Sequence, residues 1–256
     1  MSSIAVERHG TVAVLTLDRA DKRNPLSCSA MTEFTAAVRE LGADADVAVL
    51  LVRARGPAFS AGHDLGELVG AELEQQREIF QRCTAMMSAV QQVPQPVVCE
   101  VRGAALAAGC QLVASCDLAV AAEGAVFGTP GVRIGLFCST PMVAVSRAVG
   151  RKRALQMLLT GEPISAATAA DWGLINEVVP AEQVQDRAWE LAGEVAAASP
   201  LTLRIGKEAF YRQIDLPQEQ AYEQMAEVMA TNAVTGDAQE GMRAFLDKRE
   251  PVWRGE

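Results

Sequence analysis

The segment Pro57-Ala58-Phe59-Ser60-Ala61-Gly62-His63-Asp64-Leu65-Gly66-Glu67-Leu68 decides how this chain is interpreted. It follows the apolar run 47–52, which predicts a buried strand, and it precedes a polar stretch suited to a helix. Its small residues, Ser60 to Gly62, would let the backbone turn tightly and bring a peptide N–H close to a ligand. An ordinary glycine turn would look the same, so the rest of the chain must decide.

Composition bounds the class of protein. The 256 residues are half hydrophobic, which suits one large domain or a domain with an extension. The net charge of −9 and the lack of a basic run argue against nucleic-acid binding. Six cysteines without a C-x-x-C pair predict buried reduced thiols rather than disulfides. We see no secretory signal and no apolar run near the roughly 18 residues of a membrane span, so we expect a soluble cytoplasmic protein without membrane partners.

Strand and helix patterns alternate through the first two-thirds of the chain, and the last third is mainly helical. We predict strands over residues 11–17, 47–52, 97–101, 118–122 and 175–179. We predict helices from Ser27 or Ser29 to Gly42 and over residues 72–92, 142–149, 151–159, 165–170, 181–198, 201–213, 218–231 and 237–248. This order indicates an α/β core with a helical C-terminal appendage.

A second glycine-rich turn lies at residues 102–117, Arg-Gly-Ala-Ala-Leu-Ala-Ala-Gly-Cys-Gln-Leu-Val-Ala-Ser-Cys-Asp. It predicts a strand, a tight turn and a helix whose first turn has unpaired N–H groups and a partial positive charge. Two such turns, each presenting backbone donors after a strand, suggest an oxyanion hole.

Several catalytic motifs are missing from the sequence. There is no G-x-S-x-G nucleophile elbow, no phosphate-binding P-loop and no G-x-G-x-x-G after the first strand. The only histidines, His9 and His63, cannot form a three-histidine zinc site. These absences argue against hydrolases, nucleoside triphosphatases, dehydrogenases and zinc enzymes, and we expect no metal.

Residues 58–65 resemble the first motif of the enoyl-CoA hydratase/isomerase (crotonase) family. Residues 103–117, 127–130, 159–166 and 172–175 resemble later motifs in the family's order, and the resemblance runs from about residue 11 to residue 253. It implies a crotonase-like spiral of ββα units over 1–200 with an acyl-CoA site, and a helical trimerisation region over 201–256. It also implies a homotrimer or a dimer of trimers, a lyase of fatty acid metabolism, and a coenzyme A thioester as substrate with no further cofactor.

The resemblance also implies site residues. The two oxyanion amides would belong to His63 and Ala108, and because the donors are peptide groups, the side-chain identity matters little. Lys22 and Arg23 match a loop that contacts coenzyme A, where their charges suit phosphate oxygens, although a solvated basic pair is an equally good interpretation. Lys248 and Arg249 are further candidates for phosphate contact. The other expected acyl-CoA contacts are Pro25, Ala61, Asp64, Leu65, Leu106 and Pro130.

Two positions depart from the family pattern. The family's hydratases use two glutamates for acid–base chemistry, and the matching positions here are Gln111 and Gly131. A glutamine amide can orient water but cannot shuttle a proton near neutral pH, and glycine has no side chain. Since general acid–base catalysis contributes about a hundred- to ten-thousand-fold, we expect little hydratase activity.

Other groups could move the proton, and the sequence leaves the choice open. Asp64 is the best remaining carboxylate and the His63 imidazole is an alternative, while the Cys138 thiol is a possible nucleophile or a buried spectator. The chain could therefore be an acyl-CoA enzyme with an unidentified proton-transfer group, including a decarboxylase or a thioesterase. It could also be a catalytically weak acyl-CoA binding or regulatory protein.

Overall fold

The computed structural model describes residues 2–256 of the chain. The strands are β1 (Ile4–His9), β2 (Val12–Leu17), β3 (Pro25–Leu26), β4 (Val49–Ala54), β5 (Ala58–Ser60), β6 (Gly62–His63), β7 (Val97–Val101), β8 (Ala104–Leu106), β9 (Leu118–Ala122), β10 (Val126–Gly128), β11 (Ile164–Ser165) and β12 (Glu177–Val179). The helices are α1 (Cys28–Gly42), α2 (Leu65–Leu68), α3 (Leu73–Gln92), α4 (Ala108–Ser115), α5 (Pro141–Val149), α6 (Arg151–Thr160), α7 (Ala166–Trp172), α8 (Val184–Ala196), α9 (Pro200–Gln213), α10 (Gln218–Ala233) and α11 (Gly236–Asp247).

The strands form two sheets and one separate pair. The larger sheet has the order β1-β2-β4-β7-β9-β12, in which β1 and β2 run antiparallel and the other neighbours run parallel. The smaller sheet has the order β11-β10-β8-β5, and β3 pairs with β6 alone. In both sheets, strands that are distant in sequence lie side by side, so the loops that leave them meet in space.

The larger sheet is covered on both faces. On one face Leu50 packs in a core with Phe34 of α1 and Met86 of α3, and on the other Leu51 packs with Ala188 of α8. All six residues of β2 are buried accordingly. Burial on both faces is why these strands appear in the sequence as continuous apolar runs instead of alternating patterns.

The structure confirms the alternating core and the helical C-terminal part, and it corrects several details. Ser27 caps α1 by accepting a hydrogen bond from Ala30 N at 3.2 Å. The predicted strand 47–52 is shifted to Val49–Ala54, because its last residues pair with the end of β2. Strand β1 escaped prediction because it is an edge strand with polar, exposed positions.

The short strands beside the first turn, β3, β5 and β6, and the one-turn helix α2 were also not predicted. Two to four residues are too few to give a periodic pattern. Helix α8 begins at Val184 instead of residue 181, since residues 181–183 form a turn after Pro180. These differences concern short elements, an edge strand and the ends of longer elements, and none changes the order of the core.

The C-terminal helices are attached to the core by a buried ionic cluster. Lys207 Nζ of α9 lies 2.7 Å from Asp117 Oδ2 and donates to the carbonyl oxygens of Val90 and Gln95 at 2.8 and 2.9 Å. Tyr211 donates its hydroxyl to Asp117 Oδ1 at 2.8 Å. Because a buried charge needs a partner and further hydrogen bonds, this cluster fixes where α9 packs.

Two further observations concern the whole chain. Over residues 2–256 no helix combines the length and the apolar character needed to cross a membrane. All six cysteines are free, and four of them, Cys83, Cys99, Cys110 and Cys138, are buried. This agrees with the prediction of buried thiols.

Candidate active site

A cavity of about 580 Å³ lies where the first turn, helix α3 and the segment 130–141 meet. Much of its wall is apolar and is formed by Leu65, Leu68, Phe80, Ile134, Leu136 and Phe137. Such a cavity suits an acyl chain of moderate size, provided that polar groups at one end fix its orientation.

The two glycine-rich turns come into contact at one end of this cavity. We call this contact, formed by Gly62, His63, Ala107 and Ala108, the β6–α4 junction. Gly62 has φ +95°, and a Cβ placed on it would lie 2.9 Å from Ala107 Cβ and 3.3 Å from Ala108 N. Only glycine fits this position, because it tolerates the left-handed backbone and leaves room for the neighbouring chain.

The backbone N–H groups of His63 and Ala108 are not used in the hydrogen bonds of their own strand pair and helix. Ala108 is the first residue of α4, so its N–H has no partner within the helix. His63 faces Leu26 in the β3–β6 pair, but it is Asp64 N that donates to Leu26 O, at 3.4 Å. Since successive N–H groups of a strand point to opposite sides, the His63 N–H points away from β3.

Helix α4 begins with a strained residue. Ala107, its N-cap, has φ +50° and ψ −117°, and its N–H donates to Gly128 O at 2.8 Å. A non-glycine residue in this region costs about 1–3 kcal/mol, and such strain is characteristic of functional sites. The strain allows the chain to turn sharply between β8 and α4, which brings Ala108 N to the junction.

Close packing behind the junction holds the two turns together. A Cβ on Gly109 would lie 2.5 Å from Ser60 O and 2.7 Å from Ser60 Cβ. Ser60 Oγ donates to Asn24 O at 2.8 Å and accepts from Gly62 N at 3.2 Å. The position of the junction is therefore set by backbone contacts and by a buried hydroxyl group.

The loop before β3 is tied to the same turn. Asn24 Nδ2 donates to the carbonyl oxygens of Arg55 and Ala58, both at 2.9 Å, and Ala61 N donates to Arg23 O at 3.0 Å. The side chains of Lys22 and Arg23 remain exposed. The hydrogen bonds of the Asn24 side chain and of the Arg23 carbonyl group thus hold this loop, with its two exposed cations, next to the junction.

The two positions that match the hydratase glutamates carry no acid and have little space for one. Gln111 is 5% exposed, and its Oε1 accepts a hydrogen bond from Cys83 Sγ of α3 at 3.7 Å. A Cβ on Gly131 would overlap the Leu136 carbonyl oxygen and would lie 2.9 Å from Cys138 Sγ. Leu136 N donates to Gly131 O at 3.0 Å, so this turn closes on the glycine.

His63 also contributes its imidazole to the cavity wall. The ring packs edge-on against Phe80 with centroids 5.3 Å apart, and Nε2 is buried with no hydrogen-bond partner among the described residues. Burial lowers the pKa of His63, and the nearby Glu67 carboxylate only partly opposes this. The imidazole is therefore neutral near pH 7 and can accept a proton.

Comparisons with known proteins decide the family. The enoyl-CoA hydratase/isomerase family matches residues 7–256. The chain belongs to the enoyl-CoA hydratase/isomerase family. It is 45% identical to the Rattus norvegicus enoyl-CoA hydratase domain-containing protein 3, mitochondrial, over 240 residues, which cover 93% of this chain and 80% of the relative. It is 31% identical over 256 residues to the Escherichia coli 2,3-dehydroadipyl-CoA hydratase, with both chains fully covered.

Solved structures establish the crotonase-like α/β fold. The human enoyl-CoA hydratase domain-containing protein 3 superposes with a TM-score of 0.96 at 42% identity, over 98% of this chain and all of the other. An enoyl-CoA hydratase from Mycobacterium smegmatis gives the same TM-score at 43% identity, with 98% of each chain covered. The name of the rat relative includes the word mitochondrial, so a cytoplasmic location stays a prediction for this chain.

The predicted site residues occupy three kinds of place relative to the cavity of this family member. Ala61, His63, Leu65, Pro130 and Gly131 are part of its wall. Leu106 and Ala108 adjoin the junction, within 3.4 Å of a Cβ placed on Gly62. Lys22, Arg23, Pro25, Asp64 and Gln111 lie outside the wall.

Asp64 occupies a structural position. Its Oδ1 accepts from Gly66 N at 2.9 Å, so the carboxylate caps α2. The sequence interpretation also missed several wall residues, among them Phe80, Leu136 and Phe137. The two consecutive large apolar residues at 136–137, directly after Gly135, are a local sequence signal that could have found two of them.

Proposed function

We propose that this protein is an acyl-CoA enzyme that holds the thioester carbonyl oxygen between the N–H groups of His63 and Ala108. The observation that carries the proposal is the 3.3 Å approach of the Gly62 Cβ position to Ala108 N, at one end of an apolar cavity. The outward direction of the His63 N–H supports it. Fixed backbone donors stabilise an oxyanion without reorganisation, and removing one such donor from an enzyme typically costs about 3–4 kcal/mol.

The chemistry that such a site favours passes through an enolate. When a bond to the carbon next to the thioester carbonyl breaks, the electrons move onto the carbonyl oxygen, where the two amides bind them. Lys22 and Arg23, held beside the junction by Asn24, supply charges for the phosphates of coenzyme A. Leu65 and Pro130, which line the cavity, are proposed as further contacts of the bound thioester.

We infer that hydration of an enoyl thioester is weak. Gln111 is engaged by Cys83, and Gly131 is closed off by the Leu136 carbonyl group, so neither position supplies an acid. The same two observations favour a second candidate, an acyl-CoA binding protein with little catalytic activity. Decarboxylase and thioesterase variants of the first candidate use the same pair of amides and stay alternatives.

We also propose that the chain assembles as a homotrimer or as a dimer of trimers through the region 201–256. The supporting observation is a set of large apolar side chains that the monomer leaves exposed on α10 and α11: Tyr222, Met229, Phe245 and Leu246. Exposed apolar area of this kind marks association surfaces. Light scattering measures the assembly directly, and a stable monomer at micromolar concentration would contradict it.

Calorimetry with crotonyl-CoA tests the oxyanion site. We expect the native protein to bind it and Gly62→Ala to lose at least about tenfold in affinity, about 1.4 kcal/mol. Gly10→Ala is the matched control, because Gly10 also has a positive φ (+62°) but nothing within 4 Å of its Cβ position. Equal affinities of the two variants for crotonyl-CoA would contradict the proposed oxyanion site. Absence of binding by the native protein would refute the proposal that the ligand is an acyl-CoA.

Loss of the enoyl absorbance of crotonyl-CoA measures hydration in the same samples. We expect turnover far below that of a hydratase that has both glutamates, since two acid–base groups are missing. Turnover comparable to that of such an enzyme would show that the two replacements do not matter.

A further inference from the structure

The lost acids leave the proton chemistry of the site unexplained. If the amides of His63 and Ala108 stabilise an enolate, a separate group must take and return the proton. The cavity wall offers three titratable side chains, His63, Arg133 and Cys138. A group accepts the proton efficiently only if it is unprotonated near pH 7 and sufficiently basic.

Two of the three do not qualify. Arg133 donates to the Thr160 carbonyl oxygen at 3.2 Å and is paired with Glu162, and its guanidinium offers N–H donors but no acceptor for a proton. Burial raises the pKa of the Cys138 thiol, so the thiol stays protonated. Neither group can act as the base.

His63 does qualify on geometry. Its imidazole borders the cavity, and its own backbone N–H lies at the junction, so base and carbonyl site belong to the same residue. Nε2 is enclosed by protein atoms and has no hydrogen-bond partner among the described residues, so Nδ1 is the ring nitrogen left to meet a substrate. A histidine with a purely structural role would use its ring nitrogens in hydrogen bonds, because a buried unpaired nitrogen costs about 1–3 kcal/mol.

We propose that the His63 imidazole removes and returns the proton at the carbon next to the thioester carbonyl of a bound acyl-CoA. The inference rests on the proposed function, since it needs the thioester in the cavity. In the first step the C–H bond breaks and the proton moves to a ring nitrogen. The bonding electrons form the enolate C=C bond, and the carbonyl π electrons move to the oxygen held by the two amides.

The imidazolium then returns its proton to carbon, which restores the neutral ring. Return to the same carbon exchanges its hydrogen with solvent, whereas return two carbons further along a β,γ-unsaturated chain moves the double bond into conjugation. Neither path needs an activated water or a second acid. A single base therefore suffices where the hydratase pair of acids is missing, and the substrate class is an acyl-CoA with an acidic α-hydrogen.

The surroundings of His63 define its pH response. Glu67 of α2 opposes the effect of burial on its pKa, and Asp64 directs its Oδ1 to Gly66 N. Arg133 and Cys138 are the other titratable side chains that line the cavity. The base form should therefore be complete at pH 7 and decline only as pH falls below the ordinary histidine value of about 6.5.

Hydrogen exchange in butyryl-CoA tests the inference. The native protein is incubated with butyryl-CoA in D2O, and NMR follows the loss of the C2 hydrogens. We expect exchange whose rate rises with pH below about 6.5 and is flat above it. In His63→Ala the backbone N–H remains, so butyryl-CoA should still bind while exchange falls by about a hundred- to ten-thousand-fold. Imidazole added to this variant should restore part of the rate.

His9→Gln is the matched control, because it removes the only other histidine, a residue of edge strand β1, and should keep native exchange. His63→Gln is the second variant, should His63→Ala fail to fold. Exchange that survives both replacements of His63, or that is lost in Asp64→Asn instead, overturns the inference. So does a loss that imidazole does not restore in a folded variant. Native protein that binds butyryl-CoA without exchanging it overturns the inference alone, whereas absence of binding also refutes the proposed function.

Discussion

The two ends of helix α4 handle polar groups in opposite ways. At its N-terminus Ala108 N is left without a helical partner and faces the Gly62 turn across a 3.3 Å approach. Just beyond its C-terminus, Asp117 is saturated: it accepts from Val97 N, Tyr211 and Lys207 at 2.7 to 2.8 Å. The unpaired donor at the N-terminus suits a ligand site, whereas the complete set of hydrogen bonds beyond the C-terminus attaches the helix to the rest of the protein.

This difference shows how function and stability are divided along one short helix. The N-terminal end depends on backbone groups and on the absence of side chains, so its ligand chemistry tolerates changes of side-chain identity. The C-terminal end depends on particular side chains, because removing one member of a buried ion pair leaves an uncompensated charge. Substitutions at the two ends should therefore have separable effects.

The largest effect is expected at the closed end. Lys207→Met should lower the free energy of unfolding by about 3–5 kcal/mol, because Asp117 would lose its buried partner. Lys207 is 6% exposed in its side chain, and burial lowers its pKa against the pull of Asp117. Chemical denaturation measures the change, with Lys152→Met of the exposed surface of α6 as control. Folded Lys207→Met that binds crotonyl-CoA poorly would contradict the separation of the two ends.

A bulky residue at the open end should affect the ligand site and stability together. Gly109→Val places a branched side chain where a Cβ alone would lie 2.5 Å from Ser60 O, so the two turns must move apart. Overpacking of this kind costs about 1–3 kcal/mol, and displacement of the amides should abolish crotonyl-CoA binding. Gly193→Ala is the control, since Gly193 of α8 has open space at its Cβ position, and alanine there should stabilise the helix by about 1 kcal/mol. Unchanged affinity of Gly109→Val for crotonyl-CoA would show that the β6–α4 junction does not bind the ligand.

A third test places glutamates at positions 111 and 131, the two positions that match the acids of the family's hydratases. Gln111→Glu and Gly131→Glu combined should not create a hydratase, because a side chain at 131 overlaps the Leu136 carbonyl oxygen. We expect a loss of about 1–2 kcal/mol in the free energy of unfolding and no gain in enoyl-CoA turnover. A gain of a hundredfold or more would mean that the turn opens readily and that only the acids were missing.

The smallest expected effect is a pH dependence of stability. Burial lowers the pKa of His63, so between that value and about 6.5 the unfolded chain binds more protons than the folded one. Stability should thus be complete above about pH 6.5 and fall as pH decreases below it, by at most about 1.4 kcal/mol per pH unit. Denaturation from pH 5 to 7 of the native protein and of His63→Gln isolates this contribution, and identical slopes would contradict it.

Much of the fold could be predicted because its long elements carry strong patterns. The helices at Cys28–Gly42 and Leu73–Gln92 and the strand Val97–Val101 were placed within one or two residues. The exceptions are the edge strand β1 and strands of two or three residues, whose existence depends on pairing with distant segments: β3 with β6, and β8 with β5 and β10. Because the paired strands are far apart in the sequence, no local pattern in either strand indicates the pairing.

The site was predictable where it depends on backbone geometry and not where it depends on packing. The glycines at 62 and 109 and the small residues around them indicated two turns that present N–H groups, and the close approach fits that interpretation. By contrast, no pattern indicated that Cys83 of α3 would engage Gln111, or that Leu136 would close on Gly131. Those contacts arise between elements that are adjacent only after folding.

The closed turn at Gly131 also has an evolutionary consequence. In a sequence that descends from this one, no single substitution at position 131 can reinstate an acid, because the Leu136 backbone already occupies its space. The loop around residues 135–138 would first have to be rerouted, by an insertion, a deletion or several coordinated changes. A two-acid site in this chain would therefore need a changed path of the main chain at this turn as well as new side chains at positions 111 and 131.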